Sequence, residues 1–289
     1  MRSNRLIFSA SLMAFALAGI PSNKAAISYA DFSSSAGLQL NGSTHLATLG
    51  AANVLRLTDN TSEGGSAFST SSIALTGASF STFFSFEISH NVGATDSYDG
   101  VQGADGLVFV VETLSNNVGG VGGGIGYAGI NRSVGIEFDT WFNGFPGDIN
   151  GNHVGIDING STSSVVAQAV GTPLNNSQVW NAWVDYNGVT DLLEVRYSLG
   201  GPRPASPNLT YSVDLESVLV SPNAYVGFTS GTGAAGGYHD ILQWQFNAEY
   251  APIESDTVEA VPEVQTYASA LGALLIGAQV LRRRIKARA

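Results

Sequence analysis

Between residues 31 and 250, apolar and polar side chains alternate over short runs divided by clusters of Gly, Asn, Ser and Thr. Successive side chains of a strand point to opposite faces, so this period of two predicts half-buried β-strands. The clearest runs are residues 80–86, 106–111, 134–139, 154–158, 183–186, 192–197, 224–228 and 241–246. No long helical period interrupts them, and no internal repeat of fixed length appears. Many strands at short spacing in about 220 residues predict a single all-β domain over 27–250. Its form would be an antiparallel sandwich whose two sheets bury each strand's apolar face. Trp180, Trp183 and Trp244 are expected in that core.

The pattern changes at both ends. Arg2 and Arg5 precede an apolar run over 6–20, too short to span a bilayer comfortably. This predicts a secretory signal peptide over 1–26, with the mature start between Ala18 and Ala26, and hence export. Residues 251–263 carry Pro252, Glu254, Asp256, Glu259 and Glu263 with few large apolar side chains, the composition of an extended, self-repelling acidic linker. Residues 264–289 hold an almost uncharged apolar stretch, 267–281, and then five cations within 282–288. That order predicts an apolar helix anchored transiently in a membrane with its basic end on the cytoplasmic side. The tail resembles the PEP-CTERM sorting signal of exopolysaccharide-producing Gram-negative bacteria, through Val261-Pro262-Glu263, Thr266-Tyr267-Ala268, the apolar helix and the arginine cluster. Val264 departs from it, standing where a second proline is usual. The resemblance implies a sorting protease as partner, and a mature protein released or held in the envelope or extracellular matrix.

Composition narrows the function. With 44% hydrophobic and 12% charged residues, the chain has a core and is not disordered. It has no cysteine, which excludes disulfide scaffolds, thiolate metal sites and Cys nucleophiles. Between residues 25 and 263, four arginines (Arg56, Arg132, Arg196, Arg203) face all 23 acidic residues, a net charge of −19. Nucleic acid is therefore excluded as a partner, because phosphate binding needs a basic surface.

The chemistry concentrates in Glu137-Phe138-Asp139-Thr140-Trp141-Phe142-Asn143, then Asp148 and His153. Residues two apart on a strand share a face at roughly 7 Å, so Glu137 and Asp139 present paired carboxylates. Buried like charges need a counter-charge, and a divalent cation is the usual one. Asn143 and Asp148 lie in a loop with Gly144, Pro146 and Gly147, which lets the chain curl back with more oxygens. Oxygen ligands suit calcium, and the nitrogen of His153 adds a site for a transition ion such as manganese. Other motifs fail on inspection. Asp148-x-Asn150-x-Asn152 begins like an EF-hand, but its sixth and twelfth positions are His153 and Asn159. Gly124-x-Gly126-x-x-Gly129 matches a dinucleotide fingerprint but runs into a strand with no helix. His45, His90 and His239 read as surface or core residues, and six Asn-x-Ser/Thr sequons read as polar loop chemistry.

Val134-Gly-Ile-Glu-Phe-Asp-Thr-Trp-Phe-Asn143, Asp148 and His153-Val-Gly-Ile-Asp-Ile-Asn159 resemble the L-type (legume-type) lectins. Ala104-Asp105-Gly106-Leu107-Val108-Phe109, Gly122-Gly123-Gly124-Ile125-Gly126-Tyr127, Val184-Asp185-Tyr186 and residues 239–246 extend the resemblance in the family's order. It implies a concanavalin-like jelly-roll sandwich and a metal-dependent carbohydrate-binding protein without enzymatic activity, which takes neutral glycans or exopolysaccharide. It implies calcium on Asp139, the Trp141 carbonyl, Asn143 and Asp148, and manganese on Glu137, Asp139, Asp148 and His153. Ser163 stands where the family often reaches that ion through water. Sugar would meet Asp105, the Asn143 amide, the Gly123 N–H and the Trp141 ring. The resemblance also implies a cis peptide at Ala104–Asp105, a specificity loop over 229–238 and homo-oligomers formed through the back sheet. Two alternatives compete. One is a structural matrix or surface protein on the same sandwich with sugar binding lost. The other is a glycoside hydrolase, whose Glu-x-Asp-x-x-Glu strand this chain begins with Glu137 and Asp139 but completes with Phe142.

Overall fold

A computed structural model describes residues 26–117 and 121–254. The leader expected over 1–26 lies outside these apart from Ala26, and the apolar helix and basic tail of 264–289 lie wholly outside. Among the described residues no helix is long and apolar enough to cross a membrane.

In chain order the elements are β1 (Ile27–Tyr29), β2 (Leu38–Gly42), β3 (His45–Leu49), β4 (Ala52–Arg56), β5 (Gly64–Ser69), β6 (Ile73–Ala74), β7 (Phe80–Gly93) and β8 (Gly106–Glu112). There follow β9 (Ser133–Asp139), β10 (His153–Ile158), β11 (Val166–Ala169), β12 (Trp180–Asn187), β13 (Leu192–Leu199), β14 (Leu209–Ser212), α1 (Leu215–Leu219), β15 (Asn223–Gly231) and β16 (Ala235–Asn247). Each of the eight runs read from the alternation lies within a strand. The strands form two antiparallel sheets. The back sheet runs β14-β13-β12-β7-β16-β4-β3 with β1 beside β16, and the front sheet runs β11-β10-β9-β8-β15-β5-β2 with β6 beside β15.

Alternation sorts the side chains. On β8, Leu107, Phe109 and Val111 enter the core between the sheets, while Val108 and Val110 turn to the outer face and pack with Phe68, Ile125, Tyr127 and Ile130. Phe84 of the back sheet ties the layers together: its ring lies 5.8 Å from Phe109 and Phe138 and 5.0 Å from Phe228, all on the front sheet. Trp180 and Trp244 join this core as expected, but Trp183 does not. It is three residues from Trp180 on one strand, so it faces the other way. There it is buried on the outer side of the back sheet with Phe83 and Ile253.

Ile253 belongs to a strap. Ala251 donates its N–H to Ser81 Oγ (3.1 Å) and accepts from Asn247 Nδ2 (2.9 Å). Arg203 bonds Asp185 at 2.9 Å and lies 3.7 Å from Glu254. The first four residues of the segment read as a linker thus lie packed on the sandwich.

The expected loop over 229–238 is mostly strand. Thr229, Ser230 and Gly231 end β15 and Ala235 to Tyr238 begin β16, which leaves a turn of Thr232, Gly233 and Ala234.

His239 is fully buried, with Nδ1 2.7 Å from Thr58 Oγ1. Burial pushes its imidazole down to about 4. The unfolded chain takes up this proton near pH 6.5, whereas the folded chain refuses it until about pH 4. The ring's contribution to stability is therefore whole above pH 6.5, falls as pH drops toward 4, and is level below that. Urea unfolding at pH 7 and 4.5 should show the parent losing about 2–3 kcal/mol more than His239→Gln, at 1.36 kcal/mol per pH unit.

Candidate functional site

Val134, Ile136 and Phe138 of β9 enter the core, so Gly135, Glu137 and Asp139 line the outer face of the front sheet. The antiparallel register sets His153 beside Asp139, Gly155 beside Glu137 and Asp157 beside Gly135. Glu137, Asp139 and His153 can converge on one point, with ligand atoms within 4.8 Å of one another. His153 Nε2 lies 3.1 Å from Glu137 Oε1, and its Nδ1 donates to the Asn150 carbonyl at 2.8 Å, which leaves Nε2 as the ligand nitrogen. Gly155 makes room for this: a Cβ there would stand 2.1 Å from Ser164 Oγ and 2.4 Å from Glu137 Oε1.

The loop after β9 curls back as its glycines suggest. Trp141 donates its N–H to Asp139 Oδ1 (2.7 Å), and its side chain is half-buried. The Asn143 and Gly144 N–H groups both donate to Asp148 Oδ2, leaving Asp148 Oδ1 buried and 4.0 Å from His153 Nδ1. Burial, and then the charge of Glu137, hold the Asp139 carboxyl well above its usual range. Burial likewise raises Asp148, and burial with Glu137 raises Asp157. Burial would lower His153, but the hydrogen bond and charge of Glu137 outweigh it and the ring titrates above its usual value. Asp148 Oδ1 and Asp157 Oδ2 are buried with no hydrogen-bond partner among the described residues. Crowded carboxylates with unused oxygens and one imidazole fit hard and borderline divalent cations.

Asp105 ends the loop before β8, and its peptide with Ala104 is cis. The Thr140 N–H donates to its carbonyl (3.0 Å), which ties it to the end of β9. Its carboxylate is buried beside Gly233, and Oδ2 has no hydrogen-bond partner among the described residues. Burial pushes this acid up to about 7, the nearby Gly233 backbone offsetting only part of the rise. Gly233 abuts Gly122, and Gly123 lies against Asn143, where a Cβ would come within 2.4 Å of Nδ2. Asp105, Gly123 and Asn143 therefore rim one depression beside the acidic cluster, closed on its far side by the 232–234 turn.

Several participants escaped the sequence reading. Ser164, not Ser163, places its hydroxyl on Glu137, and it also bonds Asp157 Oδ1 at 2.8 Å. Asp157 was open to inference, being four residues from His153 on the same face of β10. Asp96, which accepts the Phe142 N–H at 2.7 Å, left no signal at a distance of 46 residues.

The chain belongs to the legume lectin family: the family's model, Legume lectin domain, matches residues 24–262. Among its relatives is the L-type lectin-domain containing receptor kinase VIII.1 of Arabidopsis thaliana, 35% identical over 178 residues, covering 60% of this chain and 24% of the kinase. The bark lectin of Styphnolobium japonicum is 34% identical over 182 residues, 59% of this chain and 62% of the lectin. The chain thus spans about a quarter of the length of the curated kinase it matches, and under two thirds of that lectin. A winged bean acidic lectin solved with methyl-α-D-galactose superposes with a TM-score of 0.61 at 26% identity, covering 76% of this chain and 96% of that one.

Because a side chain at 155 would enter the space of Glu137 and Ser164, Gly155→Ala should cost about 1–3 kcal/mol by overpacking. Gly171→Ala, with nothing within 4 Å of the new methyl, should be neutral in the same urea titration.

Proposed function

We propose that this chain is an exported, metal-dependent lectin that binds neutral glycans and does no chemistry on them. The observation that carries the reading is the buried, unpartnered Oδ2 of Asp105, set among backbone glycines beside the acidic cluster. A sugar hydroxyl is the donor that such an oxygen lacks. Glu137, Asp139, Asp148 and His153 would hold a manganese ion, and Asp139, the Trp141 carbonyl, Asn143 and Asp148 a calcium ion. When bound, the ions supply the positive charge that four buried carboxylates require and a ligand for the Asn143 oxygen. With that oxygen engaged, the Asn143 amide offers N–H donors opposite the Asp105 acceptor. Gly123 contributes a backbone N–H, and the Trp141 ring meets the apolar face of the pyranose.

The surface supports neutral ligands. Arg56 is locked to Asp240 by two bonds of 2.8 Å, and Arg196 and Arg203 are held by Asp185. Of the four body arginines, only Arg132 is exposed. The winged bean relative, solved with methyl-α-D-galactose, makes galactosides the first sugars to test.

Energetics then demand many copies. A monosaccharide has about 12 heavy atoms, and at roughly 0.3–0.5 kcal/mol each a lone site reaches a Kd of about 0.1–1 mM. Linked sites raise avidity by about 10²–10⁴, and oligomerisation or retention through residues 261–289 would link them.

Mass spectrometry should find about two divalent ions per chain, and EDTA should lower the Tm and abolish binding to a glycan array, since ions that bind only the folded state stabilise it. Asp105→Ala should weaken binding at least tenfold at unchanged fold, the loss of a hydrogen bond to a charged group being worth about 1.5–3 kcal/mol, and Gly123→Ala should weaken it as well by driving a methyl group into the Asn143 side-chain amide. Array binding that survives EDTA would overturn the metal dependence. Deleting residues 261–289 should leave monovalent affinity unchanged and move the protein from envelope or matrix into the medium; identical fractionation would overturn the sorting role.

A further inference from the structure

We infer that Thr232 is a positioning residue of the sugar site: its hydroxyl braces the turn between β15 and β16, and that turn holds Asp105 and the Gly122–Gly124 segment at the spacing one sugar needs. This rests on the reading of Asp105, Gly123 and Asn143 as that site.

The turn joins both halves of the site. The Gly231 carbonyl accepts the Asp105 N–H (3.2 Å), and the Thr232 carbonyl accepts the Gly122 N–H (2.9 Å). Gly233 stands between the two, where a Cβ would lie 3.5 Å from Gly122 Cα and 3.6 Å from Asp105 Oδ2. Where the turn sits therefore sets the distance from the Asp105 carboxylate to the Gly123 N–H. Gly231, Gly233 and Ala234 have no side chain with which to hold it there, and glycine backbone has the most freedom to lose.

Thr232 supplies what they lack. It is fully buried, and its Oγ1 donates to the Asn60 carbonyl (2.7 Å) while accepting the Glu63 N–H (2.9 Å). The Thr232 N–H donates in turn to the Glu63 carbonyl (2.8 Å), which carries the β5–β15 ladder one residue past its last pair, Gly64 and Gly231.

The 59–63 loop is shaped to receive the turn. The Glu63 carboxylate folds the loop by accepting the Asp59 (2.7 Å) and Asn60 (3.0 Å) N–H groups. Ser62 is held at φ 60°, a left-handed conformation uncommon for serine, and from it the Ser62 N–H reaches the Gly233 carbonyl (2.9 Å). The approach is close enough to require bare backbone. A Cβ on Gly236 would stand 2.3 Å from the Asn60 carbonyl oxygen, and one on Gly93 would stand 2.3 Å from that of Ala234.

Both bonds of the Thr232 hydroxyl go to this loop and neither to a strand. A methyl group in its place leaves the strand ladders intact. The Asn60 carbonyl and the Glu63 N–H are then left without their partner, and buried polar groups in that state move to regain one. The loop and the turn separate, and the change falls on the geometry between Asp105 and Gly123.

The test titrates the full chain, loaded with calcium and manganese, with the methyl glycosides of galactose, N-acetylgalactosamine, mannose, glucose and fucose. For the glycoside that the parent binds best, Thr232→Val should raise Kd about fivefold or more, the scale of one neutral hydrogen bond. Thr232→Ser, which keeps the hydroxyl, should stay within about twofold of the parent. Both variants should carry the parent's metal content by mass spectrometry, which separates lost geometry from lost ions. Glu63→Ala should raise Kd about threefold or more, and adding it to Thr232→Val should change Kd by less than about twofold further, because both changes undo one brace. A Thr232→Val protein that binds within fivefold of the parent overturns the brace and spares the sugar site. So does a Thr232→Ser protein as weak as Thr232→Val, or a Thr232→Val protein that has lost its ions. Should Thr232→Val not fold, Glu63→Ala decides, and a loss under threefold overturns the brace. A parent that binds none of the five glycosides overturns the sugar site, and the brace with it.

Discussion

Glu137, Asp139 and Asp148 gather around one imidazole on the outer face of the front sheet, with Asp157 joined to Glu137 through Ser164, and the local structure is organised by the need to keep that charge in place. In an apolar setting such a cluster would expel its ligands or stay protonated. Here the strands will not let the acids move. The β9–β10 register fixes Glu137, Asp139, His153 and Asp157 on one face, Gly155 leaves the space they need, and Ser164 bridges Glu137 to Asp157. The loop from residue 140 to 152 is folded by the same charges, its Trp141, Asn143 and Gly144 N–H groups all turned toward carboxylates. The cluster is unfavourable as an isolated set of charges, and rigid strands behind it and charged loops in front hold its geometry.

The Asp105 depression depends on this cluster in turn. Its wall at Asn143 is held by the loop that Asp148 folds, and its floor meets β9 through Thr140. The far wall, Gly233, comes from the β15–β16 turn, which is short because both strands run almost to their meeting point. Elements distant in sequence thus supply three sides of one depression, and none of them builds it alone.

How much of this was legible follows from which signals are local. The long central strands alternate cleanly because each has one face in the core, and all eight were readable. The short edge strands β1, β2, β3, β6, β11 and β14 bury little on either face, so they carry no clear period. Composition alone placed Trp183 in the core, yet its parity against Trp180 assigns it to the outer face. That Glu137, Asp139, Asp148 and His153 would come together was readable because they lie within 17 residues of one another. The choice of Ser164 over Ser163 was not, because it turns on the path of a loop. Nor was Asp96, whose partners are brought to it by the fold.

The two faces of the sandwich have opposite tasks. The Asp105 depression opens from the front sheet, while part of the outer face of the back sheet carries the strap that ends in Ile253 and Glu254. Phe83 and Trp183 seat that strap, and Arg203 clips it to Asp185. Glu254, the last described residue, therefore lies on the side away from the site. Sites displayed in one direction and at high local density are what a millimolar interaction needs in order to act collectively. The strap also occupies part of the sheet face that the family resemblance offered for self-association, so multivalency through a common surface asks less of the fold than multivalency through a back-to-back dimer.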